Sequence, residues 1–329
     1  MFMLVEGAGF EPAKHEAADL QSAGFDRSPT PPRLQKLGNS ACAQLPCQLK
    51  LNYLLFFTYK RSKKIDLLSK KVIEKSLNSK EKETLEKLIL LETVGSTNDE
   101  AKKLIETIEK NKTVAVFSEE QTIGRGTKGR SWVSPYGENI YFSLGWKSSL
   151  SINELMGLTI AIASSLAKDL NLLTEKKIKI KWPNDLYIDN KKFGGILVET
   201  TSTDLGTNLV IGIGINVQMK KESGSSIDQA WSSLHPYLTD EITRSDISSI
   251  ILKNTLRLTI DYPSNGLAPY LDHYNQVNFL RDKICEVEIN GKLITGKAGQ
   301  VNNKGELLLM SEEKNIYLSG NEVNIKKTF

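Results

Sequence analysis

The sequence predicts an α+β fold: a mixed β-sheet with packed helices, followed by a small β-barrel. Three observations point there. Apolar stripes at helical spacing interleave with short β-prone runs in the middle of the chain. Glycine-rich turns separate those runs. The C-terminal stretch from Arg281 to Phe329 then packs several short strands and hairpin turns together. With 329 residues, 40% hydrophobic and 25% charged, the composition is that of an ordinary globular chain with room for more than one domain.

Residues 1–60 are punctuated by Gly7, Gly9, Pro12, Gly24, Pro29, Pro31 and Pro32 and keep no helical or strand period. They are expected to be unstructured, or a spurious N-terminal extension, since no methionine occurs between Met3 and Met156. From 61 to 84, and on by composition to Leu91, the richness in Lys, Glu and Leu reads as a helical lead-in. A main domain is expected over 85–280. In it Ser96-Thr97-Asn98-Asp99-Glu100 opens a helix, with Thr97 and Glu100 at capping-box spacing. Residues 113–118 and 139–146 read as strands on either side of a basic glycine loop. Ser151 and Glu154 are expected to cap a second helix with the stripe Leu155, Leu158, Ile162 and Leu166. Strands follow at 177–182, 195–199 and 209–217, with a turn at Asp189-Asn190. In the C-terminal segment, 281–329, Asn290-Gly291 between two alternating runs signals a two-residue hairpin. Asn303-Lys304-Gly305 and Ser319-Gly320-Asn321 mark further turns.

Composition narrows the function classes. The net charge of +4, from 43 basic and 39 acidic residues, does not call for nucleic acid. Cys42, Cys47 and Cys285 are too few to staple this chain and fit a reducing, cytoplasmic setting. His15, His235 and His273 are isolated, so no dedicated metal site is expected. The apolar run 51–59 is too short to span a bilayer, and the basic cluster 60–64 after it is weak evidence for membrane contact.

Three segments carry chemistry. In Gly124-Arg125-Gly126-Thr127-Lys128-Gly129-Arg130-Ser131-Trp132, glycines allow close backbone approach and cations surround them. Such a loop suits a phosphate or carboxylate, and equally a solvated basic turn or a nucleic-acid patch. In Lys181-Trp182-Pro183-Asn184-Asp185, Pro183 ends a strand and Asn184-Asp185 turn it back toward Lys191-Lys192-Phe193-Gly194-Gly195. An ordinary hairpin with exposed lysines explains that pattern too. In Ile211-Gly212-Ile213-Gly214-Ile215-Asn216, two bare positions lie on one strand face, open to a flat ligand or to close packing against another element.

The order and spacing of these segments, with Ser96-Thr97-Asn98 before them and Gly266-Leu267-Ala268-Pro269-Tyr270 after, resemble the biotin protein ligases from about Leu88 to the C-terminus. The resemblance implies a class II synthetase-like catalytic domain and an SH3-like C-terminal barrel. It implies biotin and ATP as substrates, Mg²⁺ with the ATP, and biotinyl-5′-adenylate as intermediate. The acceptor would be a lysine of a biotin carboxyl carrier domain of an acyl-CoA carboxylase.

By the same resemblance, Ser96, Thr97, Asn98 and Gln121 would bind the ureido ring, and Gly124, Arg125, Gly126, Thr127 and Gly195 would complete the biotin site. Lys192 and Arg125 would be catalytic, Lys192 at the carboxylate and chosen over Lys191 for its position two before Gly194-Gly195. Arg130, Trp132, Lys181, Asn184, Asp185, Gly212, Gly214 and Asn216 would form the nucleotide side. Many such ligases carry a second arginine where this chain has Thr127. A leakier adenylate is therefore expected, with Lys128 a partial substitute; free adenylate no higher than in a Thr127→Arg variant would count against it. Two readings compete. A lipoate protein ligase shares the chemistry. A biotin-responsive DNA-binding repressor would need an N-terminal winged helix-turn-helix, and residues 1–60 show no pair of periodic helices. The resemblance leaves monomer and homodimer open.

Overall fold

The computed structural model describes residues 66–289, 291–320 and 323–328. The expectations for residues 1–60, the apolar run 51–59, the basic cluster 60–64, His15, Cys42 and Cys47 lie outside the described residues, as do Asn290 and Asn321 of two turns.

Helices α1 (Lys70–Lys75) and α2 (Ser79–Thr84) lead into the first strand. A seven-stranded sheet follows, made of β1 (Leu85–Val94), β2 (Thr113–Gln121), β3 (Asn139–Ser148), β4 (Lys179–Lys181), β5 (Asp185–Ile188), β6 (Lys191–Thr203) and β7 (Gly206–Asn216). Its order is β1-β2-β3-β7-β6-β5-β4; β1 and β2 run parallel, and every other neighbouring pair is antiparallel. A parallel pair needs a crossover, and helix α3 (Thr97–Ile105) supplies it.

Period-two alternation divides the apolar residues between the two faces. On β2, Val114 and Val116 join Ala101 and Ile105 of α3 and Val210 of β7 in a small cluster. Ala115 and Phe117, one residue out of step, face the large core with Phe142, Leu144, Ile211 and Ile213. That large core is closed by helices α4 (Leu158–Leu170), α5 (Arg244–Asn265) and α6 (Ala268–Val277).

A second, five-stranded antiparallel sheet comprises β8 (Ile284–Ile289), β9 (Lys292–Val301), β10 (Leu307–Met310), β11 (Asn315–Leu318) and β12 (Val323–Thr328). It is ordered β11-β10-β9-β8-β12, and among the described residues no pairing joins β11 to β12. Gly291 (φ 77°) and Gly305 (φ 80°) occupy left-handed turn positions where a side chain would be strained. Its inner face, Cys285, Val287, Ala298, Leu307 and Leu309, merges with the large core. Among the described residues, no helix is long and apolar enough to cross a membrane.

Several local expectations need correction. The helical lead-in stops at Thr84, because Leu85 to Leu91 pair in parallel with β2; ladder hydrogen bonds override the helix propensity of Leu, Lys and Glu. Helix α3 has Ser96 as N-cap with no side-chain cap, and no Thr97–Glu100 box forms. The Thr97 hydroxyl turns to Gln121, and Glu100 pairs with Lys103 at 2.7 Å. Ser151 and Glu154 do exchange hydrogen bonds, but α4 starts only at Leu158, after Gly157 in a left-handed conformation (φ 82°). The strand expected over 177–182 is three residues long. Helix α5, assigned to nothing in the sequence, opens with a box between Thr243 and Asp246.

Arg244, the first residue of α5, is 1% exposed. Its Nε and Nη2 donate to the Asn139 carbonyl at 3.0 and 2.6 Å, and its Nη1 donates to the Asp66 carbonyl at 2.7 Å. Its Nη2 also lies 2.8 Å from the Glu119 carboxylate. This guanidinium ties the chain before α1 to the end of β2 and the start of β3.

Candidate functional site

The α3 face of the sheet carries a cavity bounded by the first turn of α3, the 124–132 loop, the β5–β6 hairpin and the middle of β7. The first free amides of a helix need partners, and here one is supplied from β2. Gln121 Oε1 accepts from the Thr97 N–H at 2.9 Å and lies 3.0 Å from the Thr97 hydroxyl. Its Nε2 donates to Ser134 Oγ at 3.1 Å. Ser143 of β3, fully buried, reaches Thr97 Oγ1 at 2.7 Å and Asn98 Oδ1 at 2.5 Å. The Asn98 amide donates to Glu199 of β6 at 2.6 Å. A hydroxyl–amide floor results, linked from Ser134 to Glu199.

The loop is a tight reversal. Gly126 N–H donates to the Arg130 carbonyl at 2.7 Å and Trp132 N–H to the Gly124 carbonyl at 2.9 Å, while Lys128 (φ 59°) and Gly129 (φ 71°) turn the chain. Arg125 forks onto Asp99 of α3 at 2.7 and 2.6 Å. That guanidinium holds the Asp99 carboxyl below the usual range, and Asp99 in turn raises Arg125. Arg130 folds back on Thr127, donating to its hydroxyl at 3.0 Å.

At the opposite wall stands Lys192. It is 7% exposed and paired with Asp185 at 2.7 Å, and its ammonium lies 5.5 Å from the centre of a Trp132 ring. Lys191 is exposed, so the geometry favours Lys192 of the two. Tyr141, also on the cavity wall, donates to the Pro135 carbonyl at 2.8 Å, and burial pushes its hydroxyl far above the ordinary value.

Of the residues nominated from sequence, the cavity gathers Ser96, Thr97, Asn98, Gln121, Arg125, Gly126, Thr127, Arg130, Trp132, Asn184, Asp185, Lys192, Gly195, Gly212 and Gly214. Three fall outside it. A Cβ on Gly124 would lie 2.5 Å from the Trp132 carbonyl, so Gly124 packs behind the cavity. Lys181 lines the adjoining groove, its ammonium 5.8 Å from the Tyr187 ring centre, and burial lowers its pKa. Asn216 donates to the Ser232 carbonyl at 3.2 Å and anchors the 230–232 segment beside Lys192.

For the two strand glycines, close packing is what the structure shows. A Cβ at Gly212 would lie 2.4 Å from Asn98 Oδ1, and one at Gly214 would lie 2.7 Å from the Trp132 indole. The bare positions seat side chains of the site itself. Sequence reasoning missed Ser143, Glu199 and Gln229. Ser143 and Glu199 are single polar positions inside strands, and Gln229 lies on a loop placed by pairing of Lys192 with Ala230 and Ser232.

Residues 90–216, which hold the floor, the loop, Lys192 and both strand glycines, match the family described as biotin/lipoate A/B protein ligases. That segment is a biotin/lipoate protein ligase domain. The bifunctional ligase/repressor BirA of Escherichia coli is 34% identical over 197 residues, which is 59% of this chain and 61% of that protein. A biotin–[acetyl-CoA-carboxylase] ligase of Paracoccus denitrificans is 32% identical over 139 residues, 41% of this chain and 57% of that one. The chain thus spans somewhat under two thirds of these relatives. The solved biotin protein ligase from Aquifex aeolicus, in complex with biotin and ATP, superposes with a TM-score of 0.60 at 27% identity. It covers 74% of this chain and 99% of its own. The ligase domain thus has the mixed sheet and packed helices expected from sequence.

Proposed function

We propose that this protein condenses biotin with ATP to biotinyl-5′-adenylate and pyrophosphate, then transfers the biotinyl group to a lysine of a biotin carboxyl carrier domain, releasing AMP. The observation that carries this reading is one cavity with a neutral amide–hydroxyl floor at one end and a buried lysine at the other. A neutral polar ring fits the first, since buried N–H and C=O groups must be matched by hydroxyls and amides. An activated carboxylate fits the second.

The reaction brings a carboxylate against a phosphate, and at about 4 Å the two repel by roughly 4 kcal/mol at an effective dielectric near 20. Lys192 offers compensation without leaving Asp185, because an ammonium has three donors and the ion pair occupies one. In a water-poor cavity such a charge acts at greater strength than in bulk solvent. Arg125 holds the loop against α3 through Asp99 and sets the backbone of Gly126 and Thr127 along the cavity. Asn184, Asp185, Thr127 and Arg130 line both this cavity and the adjoining groove, which supports a nucleotide side at that end. Among the described residues no cluster of three or more His, Cys, Asp or Glu side chains could hold a metal ion. Those residues therefore supply no cage of three such side chains for the Mg²⁺ expected with ATP.

The remaining parts of the reading follow the family. Residues 85–280 act as the catalytic domain and 281–329 as an SH3-like barrel, consistent with the five-stranded antiparallel sheet. The carrier is that of an acyl-CoA carboxylase, in keeping with the name of the Paracoccus relative. The enzyme works in the cytoplasm, as monomer or homodimer, without nucleic acid or membrane. ATP–pyrophosphate exchange tests the core of this: exchange dependent on biotin is expected, exchange with lipoate alone would move the protein to the sister chemistry, and exchange with neither would end the reading.

A further inference from the structure

The geometry points to Glu199 as a positioning residue that fixes the hydrogen-bond polarity of the cavity floor and thereby selects a ligand bearing N–H donors. This deepens the proposed function and rests on it.

Glu199 bridges two partners, accepting from Asn98 Nδ2 at 2.6 Å and from Lys102 Nζ at 2.7 Å. A carboxylate only accepts, so the Asn98 amide must turn its nitrogen to Glu199 and its oxygen to Ser143. Packed against bare Gly212, Asn98 cannot move to another site and can only exchange its oxygen and nitrogen in place. At the other end, Gln121 is pinned with its oxygen toward the floor, because that oxygen takes the Thr97 N–H while its nitrogen donates to Ser134.

Between these two fixed acceptors stand the hydroxyls of Ser143 and Thr97. They make three close contacts: Asn98 Oδ1 to Ser143 at 2.5 Å, Ser143 to Thr97 at 2.7 Å, and Thr97 to Gln121 Oε1 at 3.0 Å. Two hydroxyls bring two protons. One of the three contacts therefore lacks a proton, and of the four residues Thr97, Asn98 and Gln121, each with an acceptor oxygen, line the cavity. A ligand N–H finds acceptors there; a ligand with oxygen at that place meets lone pair against lone pair.

Glu199→Gln reverses the count. The Lys102 ammonium takes the glutamine oxygen, which leaves the new NH₂ facing Asn98. Asn98 then turns over and donates to Ser143, Ser143 donates to Thr97, and Thr97 donates to Gln121. The floor then carries a donor where Asn98 Oδ1 stood, and a ligand N–H loses that acceptor.

The test is steady-state exchange with biotin and with two biotin analogues in which each ring N–H in turn is replaced by oxygen, a cyclic carbamate. In the wild type at least one analogue is expected to lose roughly tenfold or more in kcat/KM, the size of one buried hydrogen bond. Glu199→Gln should raise KM for biotin by about tenfold with kcat within about twofold, lose that discrimination, and melt no lower than the wild type. In Glu199→Gln with Lys102→Met the glutamine can turn its oxygen back to Asn98, and KM should recover. A Glu199→Gln variant with wild-type KM and full discrimination overturns the assignment, as does a double variant that folds without recovery. Wild-type protein that shows no biotin-dependent exchange overturns the proposed function itself, a result distinct from either.

Discussion

Replacing Arg244 by leucine removes a guanidinium that is 1% exposed and strands the Glu119 carboxylate, whose side chain is 6% exposed, without a counter-charge. Breaking one side of a buried ion pair costs about 3–5 kcal/mol, because the remaining charge stays desolvated. The Asn139 and Asp66 carbonyls lose their donors in the same step. The unit from Ile65 to Phe329 holds about 265 residues, and unfolding entropy near 2.1 cal/mol/K per residue gives about 0.55 kcal/mol per degree. The melting temperature should therefore fall by roughly 5–9 °C in calorimetry or thermal-shift measurement. Most of the loss belongs to the uncompensated carboxylate. Adding Glu119→Gln to Arg244→Leu should thus recover more than half of it. A single variant within about 2 °C of wild type, or a double variant less stable than the single, would refute this reasoning.

Three further outcomes are expected. Lys192→Met removes the cation proposed to face the reacting carboxylate and should lower biotin-dependent exchange by about a hundredfold or more, read by pyrophosphate exchange, with Lys191→Met near wild type. Gly214→Ala places a Cβ 2.7 Å from the Trp132 indole; tryptophan fluorescence should shift and substrate KM rise, while an unchanged spectrum would mean the ring has room. The Asp99–Arg125 pair sets a pH response. The folded pKa of Asp99 is depressed, chiefly by the Arg125 hydrogen bond, so its stabilisation is complete above the unfolded value near 4 and is lost as pH falls through the folded one. Trp132 fluorescence, referenced to Trp132→Phe, should therefore stay constant from neutral pH to about 5 and change only below about pH 4. Asp99→Asn should abolish that change.

How much of this could be read in advance varies with the range of the interaction. The strands 113–118 and 139–146 were legible because their alternation is local, and they appear as Thr113–Gln121 and Asn139–Ser148. Leu85 to Leu91 were not, because only pairing with β2 makes a strand of that helix-prone segment. Thr97 illustrates the same limit at the site: its capping role was a fair local inference, and Gln121, twenty-four residues away, takes the hydroxyl instead. Motif glycines were recognised as special while their occupants were not. Gly212 and Gly214 leave no trace in sequence of the Asn98 and Trp132 side chains that fill their space. Glu199 and Ser143 carried no signal, since one polar residue on a strand looks like solvent exposure until its partners are known.

The indole of Trp182 donates to the Gly305 carbonyl at 3.0 Å, and a Cβ on Gly320 would lie 3.1 Å from Pro183. Trp182 and Pro183 stand immediately before Asn184 and Asp185, so the turns of the C-terminal sheet hold in place the carboxylate that pairs with Lys192. Asn275 locks the same junction, exchanging hydrogen bonds with the backbone of Val301 at 3.0 and 2.8 Å. Chemistry and scaffold are therefore not separable modules here. A protein engineer who transplanted residues 90–216, or trimmed the chain at Leu280, would carry off the recognisable motifs and leave behind the clamp that keeps their charges in register.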